Sequence, residues 1–441
     1  MNRRLSSRAR LAHAVASFLL ASCAVAPPAA LDERALLDEL RAIPFEPPDS
    51  GLDPDHAVAL ALARHPDMIA IRGRLEVATN AVAEASVWRN PEFRPSFGNL
   101  ASTVAAPLSF AFGFRCFLPA PGEIDAKTAQ AQAFRDQVAA EVAAREAAIG
   151  AQTRIAHASV VRFEEELRLA EHARSFQARI AELITARVAA QAATGFDEAL
   201  AMLRGVELAD ELVVLQERLD VARTELASWV VAAPGAAIHV KRGAERNLAL
   251  LPAAAPEEAA MEEAALSRRP DLRALRHRYD GQQQALALAR IERGLWPLFL
   301  QPELEGDHDG HSVGLQAGFE IPLFDDGDAG LRVEEARARE ARDAYVAKLH
   351  VVRREIHIAR LDREQAHRRQ LHQQERVVPL LERAEVQLRA ALDAGEQDAL
   401  DLLAFEARLL EARRAMAGAR FEFERALVGY ELATGVVFEG A

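Results

Sequence analysis

Two short stretches of this chain alternate apolar and polar residues with a period of two. Ser109 to Arg115 reads S-F-A-F-G-F-R, with Phe110, Phe112 and Phe114 on one face and Ser109, Ala111, Gly113 and Arg115 on the other. Ser312 to Ile321 sets Val313, Leu315, Ala317, Phe319 and Ile321 against Gly314, Gln316, Gly318 and Glu320. Each stretch follows a partner of the same kind. Phe93 and Phe97 oppose Glu92, Arg94 and Ser96, and Leu298, Leu300 and Leu304 oppose Gln301 and Glu303. Such alternation predicts half-buried strands, at about 91–118 and 296–324, and about ten residues suffice for a tilted membrane strand. Two hairpins packed on a soluble core would alternate in the same way. Against that reading, the apolar face is strict and the flanking helices offer no obvious core for a four-stranded sheet. Four strands cannot close a barrel alone, so a barrel requires an oligomer. Pro95 and Pro302 are awkward in mid-strand, but they recur at equivalent places. Trp88 and Trp296, just before the first and third strands, read either as helix packing or as anchors at the periplasmic membrane interface.

The remainder is helical, and it is written twice. Arg64-His65-Pro66-Asp67 matches Arg268-Arg269-Pro270-Asp271, and Phe93-x-Pro95-x-Phe97 matches Leu300-x-Pro302-x-Leu304. Pro119 to Ala129 matches Pro322 to Arg332 at an offset of 203, and Ala193-Thr194-Gly195 matches Asp393-Ala394-Gly395 at an offset of 200. Four landmarks in one order at nearly constant spacing define a tandem duplication, 53–232 and 257–436, with a linker at 233–256 and a tail at 437–441. In each copy a short helix opens on Pro66 or Pro270, where a missing N–H costs nothing, and runs to Asn90 or Leu295. Two strands follow, then a very long helix (121–187 or 326–392), a tip turn at Gly195 or Gly395, and a returning helix to about Ala232 or Thr434. The long helix of the first copy would span roughly 100 Å. The short and returning helices together have about the same length, so stacked end to end they could line it throughout. A coiled-coil conduit needs such a helix; a globular domain does not.

Composition agrees. Half the residues are hydrophobic, mainly Ala, Leu and Val, and only 6% are aromatic, which suits long helices with small contact residues. The N-terminus carries Arg3, Arg4, Arg8 and Arg10 and then an apolar stretch, the pattern of a secretory signal over 1–22. It ends in Leu20-Ala21-Ser22-Cys23, which resembles a bacterial lipobox with Cys23 as the lipidated residue; an ordinary signal with a chance cysteine is the alternative. Residues 23–52 would then be an anchored segment and linker, and Ala24 fits sorting to the outer membrane. Losing the four arginines takes the net charge from −13 to −17, which disfavours nucleic acid. With Cys23 and Cys116 the only cysteines, a cysteine zinc site is excluded and a disulfide framework unsupported. No apolar run beyond the N-terminus is long enough for a membrane helix, so only strands could cross a bilayer.

With these features together, the sequence resembles the TolC-type outer-membrane efflux factors over Leu52 to Val436. The carrying segments are Leu52-Asp53, Ala57 to Leu62, His65-Pro66, Asn90-Pro91, Ile321 to Gly327, and Gly395 with Leu400-Asp401-Leu402-Leu403. The lipobox and short strand loops sit closer to the metal-resistance and multidrug branches. The resemblance implies a mainly α fold with a small β part: a homotrimer whose four strands per chain form a twelve-stranded barrel among outer-membrane lipids. Its helices continue as a periplasmic tunnel that meets a periplasmic adaptor and an inner-membrane pump. Phe110, Phe112, Phe114, Leu315 and Phe319 would face lipid, and Arg115, Gln316 and Glu320 the lumen. Segments 31–52 and 233–256, which break the helical pattern, would form an equatorial belt. Asp401 falls on a position that lines the pore constriction in the family, while a second acidic position falls on Ala404 and the first-copy equivalent of Asp401 is Ala201. The first strand pair is short, and Pro119-Ala120-Pro121-Gly122 replaces the usual run before the long helix.

Asp307-His308-Asp309-Gly310-His311 could be a metal cluster, but Asp and Gly are also what a polar hairpin tip contains, and no metal or cofactor is expected. His350, His357, His367 and His372 lie among Arg and Gln on a solvated helix. There is no phosphate loop, nucleophile elbow or H-E-x-x-H, and the many carboxylates are i, i+4 partners of Arg. The sequence thus supports a passive export duct over an enzyme. A non-conducting periplasmic coiled-coil lipoprotein is the alternative, and a lipid-facing apolar band is what that alternative has no need of.

Overall fold

A computed structural model describes residues 30–42, 51–99, 108–233, 235–236, 238–241, 257–306, 310–393 and 399–436. Cys23, Gly395 and Asp307 to Asp309 lie outside them. The chain divides into two units, Met1–Pro44 and Phe45–Ala441. In the first, helix α1 (Glu33–Arg41) is capped by Asp32, whose carboxylate accepts from the N–H groups of Arg34 and Ala35. This corrects the expectation that 31–52 breaks the helical pattern. Asp32 supplies an N-cap and E-R-A-L-L-D-E-L-R is made of strong helix formers.

The second unit carries the duplication. Its first copy comprises α2 (Pro54–Arg64), α3 (Pro66–Ala85), β1 (Glu92–Asn99), β2 (Leu108–Phe117), α4 (Glu123–Ala189) and α5 (Gly195–Trp229). The second comprises α6 (Glu258–Arg268), α7 (Pro270–Glu292), β3 (Pro297–Gly306), β4 (His311–Phe319), α8 (Asp328–His372), α9 (Val378–Asp393) and α10 (Ala399–Thr434). The short helices end earlier than expected, at Ala85 and Glu292. A further helix precedes each of them, because the residue before a proline is driven out of the helical region. His65 (ψ 127°) and Arg269 (ψ 119°) are both extended, and each splits one apolar-periodic run into two helices.

Helix α4 has 67 residues, about 100 Å at 1.5 Å per residue. Helices α2, α3 and α5 pack along it, and so do α7 and α10 of the second copy. Helices α7 and α10 also pack on α8. The second long helix is not uniform. Residues Gln373–Val377 form a π-helical turn between α8 and α9, ending two residues before Pro379. A proline inside a helix removes one backbone donor and crowds the preceding turn, and a π turn is one way to absorb the misfit.

Both long helices start on a left-handed glycine, Gly122 (φ 83°) and Gly327 (φ 76°). The equivalent pair is therefore offset by 205, not 203, so the second copy holds two extra residues between its proline and its helix. Side chains in this backbone region cost about 1–2 kcal/mol. Gly327→Ala is expected to lower stability by about that amount, measured by urea unfolding in detergent. Gly330→Ala, three residues on with open space at its Cβ, should raise it by about 0.5–1 kcal/mol. Equal effects would mean that the glycine conformation does not set the helix start.

At the tip, Gly195 does not supply the left-handed residue expected of a turn glycine. Gln191 does (φ 58°), with the N–H of Ala192 donating to the Arg187 carbonyl at 2.8 Å. Gly195 opens α5 behind a capping box of Thr194 and Asp197.

The strands form one antiparallel sheet in the order β1-β2-β3-β4. The β2–β3 ladder joins the two copies, with Phe112 paired to Leu304 and Gly113 to Glu303.

Candidate functional site: a two-faced sheet on a helical wall

The registers sort the sheet into two faces. Pairs Phe93–Phe114, Phe112–Leu304, Pro302–Leu315 and Leu304–Val313 carry one face from edge to edge. It is apolar and open: Phe114 is 53% exposed, Leu315 69% and Val313 84%. Phe110 and Phe112 lie in an aromatic cluster, with ring centroids 5.5 Å apart, and Phe93 stacks on Phe112 at 6.1 Å. Phe319 shares this face at the end of β4, beside a bulge between Pro297 and Phe299. Cys116 belongs to it too, as an exposed free thiol.

The other face carries the polar residues. Arg115 Nε donates to Gln301 Oε1 at 3.1 Å, Gln301 pairs with Gln316 across β3–β4, and Gln316 Nε2 donates to Glu303 Oε2 at 2.5 Å. Arg115 and Gln316 thus come together in one cross-strand row. Glu320 does not join it, because β4 ends at Phe319 and Glu320 is exposed one residue beyond. Strand alternation alone did not reveal Phe299, which lies on the polar face under the Arg115 guanidinium, 4.1 Å from its ring centroid. It covers Gly318, where any Cβ would overlap the ring. The odd aromatic opposite a strand glycine was the available signal.

Pro95 sits on edge strand β1, where a missing donor costs least. Pro302 sits on central strand β3, and β3 runs through it. Trp296 donates Nε1–H to the Leu118 carbonyl at 3.2 Å, while Trp88 is 60% exposed. Both stand at helix–strand junctions.

Below the sheet, two buried polar sites brace the helices. His157, in the middle of α4, has Nε2 at 2.8 Å from the Leu52 carbonyl, so this nitrogen carries the proton. Leu52 bridges Val240 and packs with Leu226, Val230 and Ile238. Burial pushes the His157 pKa down, outweighing the hydrogen bond that favours the charged ring. In the second copy, buried Arg269 grips Asp271 with two nitrogens (3.0 and 2.7 Å), Glu355 at 2.7 Å and the Ala433 carbonyl at 3.0 Å. Lys348 reaches Asp271 at 2.9 Å. Burial would raise the Asp271 carboxyl, but bonds from Arg269 and Lys348 outweigh it and bring it from 3.8 down to about 2.

At the tip, Leu402 of α10 packs with Ile180, Ile184 and Ala201. Asp401 lies in the first turn of α10, beyond the residues whose side chains are described. Among the described residues, no helix is long and apolar enough to cross a membrane and no group of three or more His, Cys, Asp or Glu could hold a metal ion.

No family profile matches the sequence, and no curated protein matches it. Solved structures do. The outer membrane protein VceC of Vibrio cholerae superposes with a TM-score of 0.69 at 19% identity, covering 88% of this chain and 97% of that one. The Campylobacter jejuni CmeC outer membrane channel gives 0.66 at 15% identity, covering 93% of both chains. CusC, described in terms of folding and transmembrane channel formation, gives 0.71 at 14% identity, covering 89% and 95%. At these identities the likeness establishes the fold: helices, sheet and duplication are arranged as in those proteins over almost their whole length.

Proposed function

We propose that this chain is the outer-membrane duct of a tripartite export system. The observation that carries the reading is the sheet: four strands with two open edges, one face apolar and bare, the other polar. Three copies joined edge to edge close a twelve-stranded barrel with Phe110, Phe112, Phe114, Leu315 and Phe319 toward lipid and Arg115 and Gln316 toward the lumen. The helices continue as a periplasmic tunnel, which an inner-membrane pump loads through a periplasmic adaptor. Conduction in this reading is passive, and the polar face of the sheet supplies the wall. The likeness to outer-membrane channels of known structure supports this reading.

By its match to the family's constriction position, Asp401 is assigned to the narrowest point of the tunnel, where three like charges in the trimer would repel one another and attract cations. In planar bilayers the purified protein should conduct ions, and Asp401→Ala should weaken block by multivalent cations added from the periplasmic side. Absence of conductance would sink the duct reading, whereas equal block of both proteins would remove Asp401 from the constriction. Cys23 anchors the chain by lipid, as an addition to the barrel. Metabolic labelling with a fatty acid should mark the wild type and not Cys23→Ala, and labelling of both would refute the anchor.

A further inference from the structure

Helix α10 packs on both α4 and α8, so the three form a row with α10 in the middle. A cavity of about 650 Å³ is lined by all three helices and therefore lies in the hollow of that row. A second, of about 390 Å³, shares Ala366, Arg369 and Glu422 with it and continues to Gln373 at the π turn. The two make one groove, and each is of the size that holds a small molecule.

Helix α6 fixes which way the groove faces. It packs on α8 through Glu262–Arg353 at 2.8 Å and Glu258–Arg360 at 4.0 Å. Asp362 and Arg369, which line the groove, follow these two arginines by nine residues, about two and a half turns. They stand on the opposite side of α8 from α6. A wall that encloses a pore carries a second layer only on its outside. With α6 outside, the groove opens to the lumen.

The charges along it do not balance. Arg269, Asp271 and Glu355 are engaged in the buried cluster, and Glu422 accepts from Arg425 at 2.5 Å. Arg354, Arg368, Arg369 and Asp362 also line the groove, and their side chains have no partner among the described residues. Three cations thus face one carboxylate, a local reversal of sign in a chain of net charge −13. Arg368 and Arg369 lie toward the π turn, and Arg354 lies about 22 Å away along α8. Between them the lining is apolar, with Ala148, Ala359, Ala426 and Gly429 and the exposed side chains of Ile358 and Leu432. Guanidinium groups take carboxylate, sulfonate or phosphate oxygens two at a time, and the apolar stretch takes a hydrocarbon body.

Resting on the duct reading above, we propose that this groove is a contact site for exported molecules on the tunnel wall. It favours amphipathic organic anions, with their acidic group at Arg368 and Arg369.

Three probes share one apolar body and differ in charge: naphthalenesulfonate, naphthylmethanol and naphthylmethylammonium. Their binding to the whole chain in nanodiscs of zwitterionic lipid can be read by titration calorimetry, with empty nanodiscs as the blank. The sulfonate is expected to bind about tenfold more tightly than the alcohol, and the ammonium more weakly than either. Arg369→Gln should abolish the sulfonate's advantage. Asp362→Asn should strengthen sulfonate binding about threefold, a gain that misfolding cannot produce. Arg353→Gln, on the outer side of the same helix, should change none of the three. Equal binding of the three probes, or an equal loss with Arg353→Gln, overturns the anion site and leaves the duct standing. Selective binding by a protein that carries no current in planar bilayers keeps the site and overturns its place in a tunnel.

Discussion

Replacing Arg269 with methionine is expected to destabilise the protein by about 1.5–3 kcal/mol, because the change removes a buried cation from between two half-buried carboxylates and leaves both charges in place. Asp271 would lose its two-point contact, Glu355 its nearest cation, and the Ala433 carbonyl at the end of α10 its donor. The loss falls where α6, α7, α8 and α10 meet. Lys348 still reaches Asp271, so the effect belongs toward the lower end of that range. The pH dependence has a definite sign. The Asp271 carboxyl titrates at about 2 in the folded chain against an ordinary 3.8, so its contribution of roughly 2 kcal/mol is fully present above pH ~4 and is lost as pH falls toward 2. Urea unfolding in detergent at pH 7 and pH 3 should show the wild type losing stability on acidification and Arg269→Met losing less. Parallel losses would mean that the cluster does not hold Asp271 ionised.

Placing a charge on the apolar face should cost about 2–4 kcal/mol near mid-membrane, and about nothing on the polar face one residue away. Leu315→Arg and Gln316→Arg make this comparison within one strand. They share backbone, helix distance and net charge, so a difference between them isolates the face. Position 315 is 69% exposed in the isolated chain, so no protein neighbour is displaced and the cost arises only if lipid surrounds it. Folding into vesicles followed by denaturant titration would read the difference. Equal tolerance would indicate a sheet in water, and the barrel would have to be abandoned.

Much of this architecture was legible in the residue pattern. The four strands follow from alternation, since a one-residue slip would exchange Phe110 and Phe112 for Ala111 and Gly113 on the apolar face. The long helices follow from uninterrupted periodicity between proline and glycine punctuation. Local chemistry was misjudged where two signals competed. The reading that opened the short helix at Pro66 left out the helix Pro54–Arg64 before it, which the extended conformation imposed on His65 separates from its neighbour. Pro379 within the second long helix was the signal for the π turn, and periodicity continuing on both sides concealed it. Among the site residues, Arg115 and Gln316 share a row, and Glu320, which obeys the same parity, falls off the end of the strand.

By itself the sequence determined the duplication, the ends of the first long helix and of the two returning helices to within a few residues, and which side of each strand is apolar. These properties depend on neighbours in the chain, through propensity, capping and the two periodicities. Only the tertiary structure decided that β2 pairs with β3 and so fuses the copies into one sheet. It also decided that α4 serves as the shared support for helices of both halves, and that Arg269 is the buried centre of a charge cluster while its counterpart His65 stacks on Trp229 at 5.6 Å. Those outcomes depend on contacts between residues a hundred or more positions apart. The free energy there comes from burial and from satisfying desolvated charges, and no local pattern in the chain encodes which partner will be present.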